Sequence, residues 1–214
     1  APVLRAYWVR GNLDLMRFRL WHELQAMTSI VWECEPMPKQ KICTSRSFSK
    51  MTNDHSIIQE AVSNHAATCA LKLRQQNSVC KYVHVFIQTN PHKQKMKQYF
   101  HSVNFKCENE TNLTKEIIAY ALKGLDILFL PGDYFYMKCG VMVLNVIPQN
   151  VIQLNMFEKM ERQKDKALSK IVDSVNRNMG AGTVRMAVQR FDKRYKLRAE
   201  HISKKFTTNL SYTQ

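Results

Sequence analysis

Two kinds of hydrophobic periodicity alternate along the middle of this chain. Alternating apolar and polar positions, rich in β-branched and aromatic residues, predict strands at Ile42 to Lys50, Val79 to Thr89, Tyr99 to Cys107 and Tyr134 to Ile147. Apolar residues at helical spacing predict one helix from Asn53 or Ser56 to about Gln76, and another from Thr111 or Thr114 to Pro131-Gly132. The order β-α-β-β-α-β predicts an α+β fold, with a four-stranded, mostly antiparallel sheet and two helices on one face.

The second predicted strand separates two sets of side chains. Its odd-numbered positions from 83 to 87 are Val or Ile, and its even-numbered positions hold Tyr82, His84, Phe86 and Gln88. Because both helices are expected on the apolar face, the other face of the sheet is expected to stay open. Polar and basic residues there would form a platform as long as several DNA phosphates.

The segments before the sheet differ from it in pattern. Leu13, Met16, Leu20 and Leu24 recur at helical spacing and predict a helix from Leu13 to Met27. Pro36 and Pro38, without periodicity around them, indicate a linker at residues 33–41.

The segments after Pro148 also change in character. Apolar spacing predicts a helix near Lys166 to Asn178, Gly180-Ala181-Gly182 should end it, and Thr183 to Gln189 is predicted to be a short strand. The resulting division of the chain is 1–32, 33–41, 42–149, 150–158 and 159–214.

Charge narrows the possible partners. The chain of 214 residues has 32 Lys and Arg against 17 acidic residues, a formal charge of +15. Residues 159–214 alone hold 14 basic and 5 acidic residues, which makes them a basic extension. Such a surplus favours polyanions, either nucleic acid or an anionic membrane surface. The longest apolar run, residues 140–147, is too short to span a membrane, so no membrane insertion is expected.

The cysteines and the N-terminus bear on compartment and metal binding. No CxxC pair and no histidine at ligand spacing accompany the 6 cysteines, which argues against a zinc site and for buried thiols. No signal-peptide pattern follows Ala1. A reducing, cytoplasmic setting is therefore expected.

Two short motifs are candidate binding sites. The first is the strand segment Thr44, Ser45, Arg46 and Ser47, where small hydroxyl side chains would let phosphates approach the backbone and Arg46 adds a charge. Lys81, Lys106 and Lys138 are further candidates for phosphate contact from their strand positions. The alternative for all of them is a solvated edge of the sheet.

The second motif is Gln153, Leu154, Asn155, Met156 and Phe157. Such a pattern is typical of peptides that dock on bacterial sliding clamps, with apolar side chains in a pocket and the glutamine at its rim. The alternative is an ordinary hydrophobic turn packed on the sheet.

Several ordered segments together resemble one family. They are SRSF at 45–48, Cys80 to Pro91, Lys138 to Leu144, QLNMF at 153–157, Gly182-Thr183 and Phe206-Thr207-Thr208. Across most of its length the chain resembles the C-terminal half of UmuC-type Y-family translesion DNA polymerases. The resemblance implies that residues 42–149 are a little finger domain that grips primer–template DNA, and that 1–32 are the end of a thumb domain.

The resemblance also implies a biological role, binding partners and a catalytic domain separate from these residues. It implies a role in SOS mutagenesis and DNA repair, with the sliding clamp, a UmuD-like subunit and the RecA filament as partners. The family's palm holds two metal ions with clustered carboxylates, but no two acidic residues are adjacent here. We therefore expect this chain to be non-catalytic and without a cofactor, and a parent polymerase to use Mg²⁺.

Two alternative functions fit the same element order. One is an RNA-binding module of the RRM type, although its Gly- and Phe-rich strand motif is missing. The other is a protein-interaction adaptor that makes no direct contact with DNA.

Overall fold

The computed structural model describes residues 11, 14–30, 32, 37–93, 95–151, 159–192 and 194–195, without the side chains of 151 and 159–161. The chain divides into two compact units, Ala1–Pro38 and Lys39–Gln214. The first unit contains helix α1 (Leu15–Leu24), which begins where the Asp14 carboxylate accepts a hydrogen bond from the backbone N–H of Arg17. It ends earlier than predicted because Ala26 adopts a left-handed conformation, with φ of 57°.

The second unit has the predicted α+β architecture. Its elements are β1 (Ile42–Thr52), α2 (His55–Gln75), β2 (Ser78–Thr89), β3 (Phe100–Thr111), α3 (Thr114–Leu128), β4 (Tyr136–Pro148), α4 (Lys159–Asn178) and a 3₁₀ turn (Ala187–Gln189). The strands form one sheet in the order β1-β4-β2-β3, and every neighbouring pair is antiparallel. This confirms the predicted four-stranded sheet.

The core lies between this sheet and helices α2 and α3. Val83, Val85 and Ile87 on β2 are fully buried, and β4 places Val141 and Val143 beside them. Helix α3 approaches this face closely, since a Cβ on Gly124 would lie 3.0 Å from a methyl group of Val85. Helix α2 contributes the apolar positions predicted from its spacing, and Ile58, Val62, Cys69 and Leu73 have no exposed surface. Both helices therefore pack on one face, as predicted.

Helix α2 also contains the buried histidine of the core. The N-terminal cap of the helix is Asp54, next to the predicted Asn53. The Asp54 carboxylate accepts a hydrogen bond from Ser56, which lowers the pKa of Asp54. His65 is buried in the core, and its Nε2 has no hydrogen-bond partner among the described residues. Burial, and then the nearby charge of Arg46, lower the pKa of His65 to about 4.

The cysteines are reduced in the part of the chain that the structure describes. Cys69, Cys80, Cys107 and Cys139 are buried free thiols, whereas Cys43 is exposed. Burial raises the pKa of the Cys69 thiol to about 11, so this group stays protonated at neutral pH.

The C-terminal extension contains a longer helix than predicted and lacks the predicted strand. Helix α4 begins at Lys159, seven residues before the predicted start. The prediction of a strand from Thr183 to Gln189 is wrong, because the backbone of this segment forms hydrogen bonds with residues nearby in the sequence. The Asn176 side chain pairs with both backbone groups of Val184, and the Gln189 N–H donates to the carbonyl of Met186.

Both parts of the extension pack on the helical layer. Arg74 of α2 donates to both carboxylate oxygens of Asp173 on α4, at 2.6 and 2.8 Å. Further along, Gln189 is buried and exchanges hydrogen bonds with Asn64 of α2. The Tyr195 side chain is buried against the core as well. The described part of the extension therefore lies on the side of the sheet that carries the helices.

Candidate nucleic-acid interface

The face of the sheet opposite the helices, which we call the open face, is defined by the strand register. Four cross-strand rows make it up: Leu144, Tyr82 and Lys106; Cys43, Met142, His84 and Asn104; Ser45, Gly140, Phe86 and Ser102; and Ser47, Lys138, Gln88 and Phe100. Side chains alternate along each strand, so every residue in these rows projects away from α2 and α3.

The open face remains in contact with solvent. Every side chain in its rows is half-buried or exposed, and only Gly140, which has no side chain, is buried. Phe100 is 63% exposed. Among the described segments of the second unit, none lies over this face, which is exposed as predicted.

The ring of Phe86 occupies the middle of the open face. A Cβ on Gly140 would lie 2.4 Å from Cζ of Phe86 and 2.5 Å from Cβ of Ser45. The Phe86 ring therefore lies directly across the glycine, a position that any larger residue would block. The Lys138 ammonium lies 6.0 Å from the centre of the same ring. Within the described part of the chain, the Lys138 ammonium lies over the Phe86 ring and forms no ion pair with a carboxylate.

The remaining polar groups favour an anionic ligand. The rows of the open face contain Lys106 and Lys138 and no acidic residue. His84 Nδ1 lies 2.6 Å from the side-chain oxygen of Asn104, a hydrogen bond that fixes both side chains. Such a surface can offer ammonium, hydroxyl and amide donors to phosphate oxygens.

The predicted segment Thr44 to Ser47 divides between the two faces. Ser45 and Ser47 lie on the open face, whereas Thr44 and Arg46 project toward the helices. The Thr44 hydroxyl accepts a hydrogen bond from the Cys69 thiol at 3.3 Å. Arg46 is exposed, but its charge acts on His65 of the helical layer. Four consecutive residues of a strand cannot share one face, so Thr44 and Arg46 lie on the side away from the open face, and phosphate contact by the segment stays a prediction.

Only two of the three predicted lysines lie on the open face. Lys106 and Lys138 lie on the open face, but Lys81 sits where the β2–β3 register shifts, 3.6 Å from the Glu110 carboxylate. The predicted clamp motif, Gln153, Leu154, Asn155, Met156 and Phe157, lies outside the described residues.

Gly140 and Asn104 were not singled out from the sequence, although both shape the open face. The alternation of β3 places Asn104 on its polar side, which was a usable signal. Nothing local identifies Gly140, because its role depends on the Phe86 ring from a neighbouring strand. Within the described ranges, no cluster of potential metal ligands is found and no helix is long and apolar enough to cross a membrane.

Comparisons with known proteins match most of the chain. The C-terminal domain of the impB/mucB/samB family matches residues 39–156, and a domain of unknown function (DUF4113) matches residues 166–212. Protein SamB of Salmonella typhimurium is 30% identical over 94% of this chain and 47% of its own length. Protein UmuC of Salmonella typhimurium strain LT2 is 29% identical over 95% of this chain and 48% of its own length. The chain spans about half the length of these relatives.

Solved structures include distant matches. The little finger domain of PolIV, in complex with the beta-clamp processivity factor, is 15% identical and has a TM-score of 0.36 over 54% of this chain and 97% of that chain. A Y-family DNA polymerase chimera of Dbh and Dpo4 is 11% identical, with a TM-score of 0.39 over 66% of this chain and 38% of that chain. The family match covers more than half of the sequence and coincides with the whole sheet. The chain therefore belongs to the impB/mucB/samB family and carries the C-terminal domain of that family.

Proposed function

We propose that the open face holds the sugar–phosphate backbone of primer–template DNA, and that the chain is the DNA-gripping part of a lesion-bypass polymerase. The observation that carries the proposal is the exposed face with two lysines and no acidic residue in its rows. Family membership supports the same conclusion.

The dimensions of the open face suit a nucleic-acid backbone. Lys106 is level with Tyr82 on β2, and Lys138 is level with Gln88, six residues further along the same strand. At about 3.3 Å per residue the two ammonium groups are attached roughly 20 Å apart along the strands. That is about six steps of duplex rise, so both lysines can reach phosphates of one DNA segment.

The chemistry predicts binding without base specificity. Ser45, Ser47 and Gln88 offer hydroxyl and amide donors that suit phosphate oxygens, and the open face presents no helix to a groove. Affinity should therefore depend on salt far more than on sequence.

A lysine pair tests the proposal. Lys106→Gln/Lys138→Gln should make the dependence of log affinity on log salt shallower by roughly 0.9 for each lost phosphate contact. The matched control is Lys123→Gln, an exposed lysine of α3 on the opposite layer. Fluorescence anisotropy with labelled primer–template DNA at several salt concentrations gives the slopes. Equal slopes for the double variant and the native chain would refute the proposal.

Single-stranded RNA is the main competing ligand. Exposed Phe100 and half-buried Tyr82 and Phe86 on the open face could stack on unpaired bases. Competition between duplex DNA and single-stranded RNA of equal length distinguishes the two functions. A strong preference for RNA would favour the RNA-binding module over DNA gripping.

A second activity proposed for the chain is attachment to a sliding clamp through residues 153–157. The support is the motif itself and its position between β4 and α4. Replacing Gln153, Met156 and Phe157 with Ala should abolish clamp binding in surface plasmon resonance while DNA affinity stays within about twofold. A triple variant that still binds the clamp would refute the assignment of the motif.

The remaining parts of the proposal concern a larger polymerase. Its palm would hold Mg²⁺ with clustered carboxylates that lie outside this chain, and would perform the nucleotidyl transfer in the cytoplasm. A UmuD-like subunit and a RecA filament would be its partners in SOS repair. A direct test is primer extension, in which this chain alone should incorporate no nucleotide with Mg²⁺ present.

A further inference from the structure

One end of the open face carries an aromatic side chain that does not pack into the domain. Phe100 is the first residue of β3 and shares its row with Ser47, Lys138 and Gln88. Its side chain is 63% exposed and makes no ring contact with any described residue. The next residue of β3 on this face is Ser102, a small residue. Phe100 therefore lies on the surface without a role in the core.

The surroundings of Phe100 distinguish it from other exposed apolar side chains. A single exposed apolar residue is common and by itself indicates no ligand. The other phenylalanine of the open face, Phe86, is half-buried and covers Gly140, so packing within the sheet explains its position. Packing does not explain Phe100, and the charges near it become the deciding feature.

The turn that joins β2 to β3 places positive charge at the same end of the sheet. Residues 90–99 include three lysines and one histidine but no acidic residue. Lys97 pairs with Asp133, whereas Lys93 and Lys95 are exposed and form no ion pair with any described residue. Lys138 adds a further cation from the row of Phe100 itself. The aromatic ring thus lies in a region of positive potential.

Hydrogen bonds hold the turn in a defined conformation. The side-chain amide of Gln98 donates to three backbone carbonyls of the turn. The Thr89 N–H donates to the carbonyl of Tyr99 at 2.9 Å, and the Tyr99 N–H donates to the Thr89 hydroxyl at 2.9 Å. Because Phe100 follows Tyr99 directly, the backbone of the basic turn and that of Phe100 are fixed relative to each other. Binding a ligand here therefore requires little ordering of the protein backbone.

We propose that Phe100 is a stacking site for an unpaired DNA base, so that the open face binds the junction between a duplex and a single strand. An aromatic ring among cations is the arrangement that binds single-stranded nucleic acid, because bases stack on the ring while the cations face phosphates. Inside a duplex both faces of each base are covered by neighbouring bases, so an unpaired base is the partner that fits.

The site rests on the proposed function, since the duplex is expected to lie along the line from Lys106 to Lys138. Phe100 is at the Lys138 end of that line, two strands away. Two strand spacings amount to about 10 Å, which one nucleotide and an extended lysine side chain can bridge. A strand that leaves the duplex at this end can therefore keep a phosphate near Lys138 while its base reaches Phe100.

Three DNA ligands separate base stacking from charge. They are a blunt duplex, the same duplex with a single-stranded overhang, and the same overhang made of abasic nucleotides, which keeps the phosphates but lacks the bases. Overhangs at the 5′ and at the 3′ end are both used, and a preference for either polarity is sufficient. In fluorescence anisotropy the full chain should bind the overhang with bases about 5- to 100-fold more tightly than the abasic overhang.

Phe100→Ala should remove this preference. It should weaken binding of the overhang with bases about 5- to 100-fold and leave the blunt duplex and the abasic overhang within about twofold. The salt slope should stay unchanged, because stacking releases no counterions. Phe100→Trp should retain the preference. The matched control is Phe191→Ala, because Phe191 is 71% exposed but belongs to the extension on the helical layer. Circular dichroism should show that every variant is folded.

The outcomes distinguish the stacking site from the DNA grip. Equal affinity of the native chain for the two overhangs, or an equal effect of Phe100→Ala on the blunt duplex and on the overhang with bases, would overturn the stacking site. Neither result affects the grip, which is judged by the salt slope of Lys106→Gln/Lys138→Gln. An unchanged slope in that lysine variant would count against the grip alone.

Discussion

Arg74 is the side chain that most directly joins the C-terminal extension to the rest of the domain. It contacts Asp173 with two parallel hydrogen bonds, and its remaining nitrogen donates to the Asn112 carbonyl at 2.8 Å and to the Thr114 hydroxyl at 3.0 Å. The Arg74 and Asp173 side chains are 14% and 17% exposed. We predict that Arg74→Met detaches α4 while the sheet stays folded.

The magnitude follows from the burial of the pair. Removing one partner of a largely buried ion pair costs about 3–5 kcal/mol when the other charge stays in place. Asp173 can avoid this cost if α4 leaves the surface and the carboxylate returns to water. The penalty therefore appears as local opening of α4. A cost of about 3 kcal/mol corresponds to roughly a hundredfold loss of amide protection against hydrogen exchange.

Hydrogen exchange measured by mass spectrometry can test this prediction. Amides of α4 should exchange roughly a hundredfold faster in Arg74→Met, while those of β2 and β4 keep their protection. Lys115→Met is the matched control, because Lys115 is 52% exposed and such pairs contribute only about 0–1 kcal/mol. The reasoning would be refuted if the amides of α4 kept their protection in Arg74→Met, or if the amides of β2 lost as much protection as those of α4. Arg74→Met/Asp173→Leu should recover part of the protection, since no buried charge remains.

Two further predictions concern the sheet and the buried histidine. Gly140→Ala should lower the free energy of unfolding in urea by about 1–3 kcal/mol, because the alanine methyl group would overlap Phe86 and Ser45. A decrease of less than about 0.5 kcal/mol would contradict this prediction. Because the pKa of His65 falls from 6.5 to about 4 on folding, the unfolded chain binds the proton first as pH drops through this window. Stability should therefore decrease there by up to about 1.4 kcal/mol per pH unit, a loss that His65→Gln should remove and exposed His92→Gln should not.

Local pattern was sufficient for the elements of the sheet domain and for the identity of its two faces. The alternation of β2 separates Val83, Val85 and Ile87 from Tyr82 and Phe86, and the structure buries the first set and leaves the second on the open face. A strand has a period of two whatever surrounds it, so the sequence alone can assign side chains to faces.

Tertiary contacts decided the rest. The segment Thr183 to Gln189 resembled a strand, but no local signal showed that Asn176 would satisfy the backbone of Val184. Arg74 and Asp173 are 99 residues apart in sequence, and only packing shows that they meet and turn the apolar side of α4 outward. Periodicity encodes which face of an element is apolar, but the partner of each face is a long-range property that residue spacing does not contain.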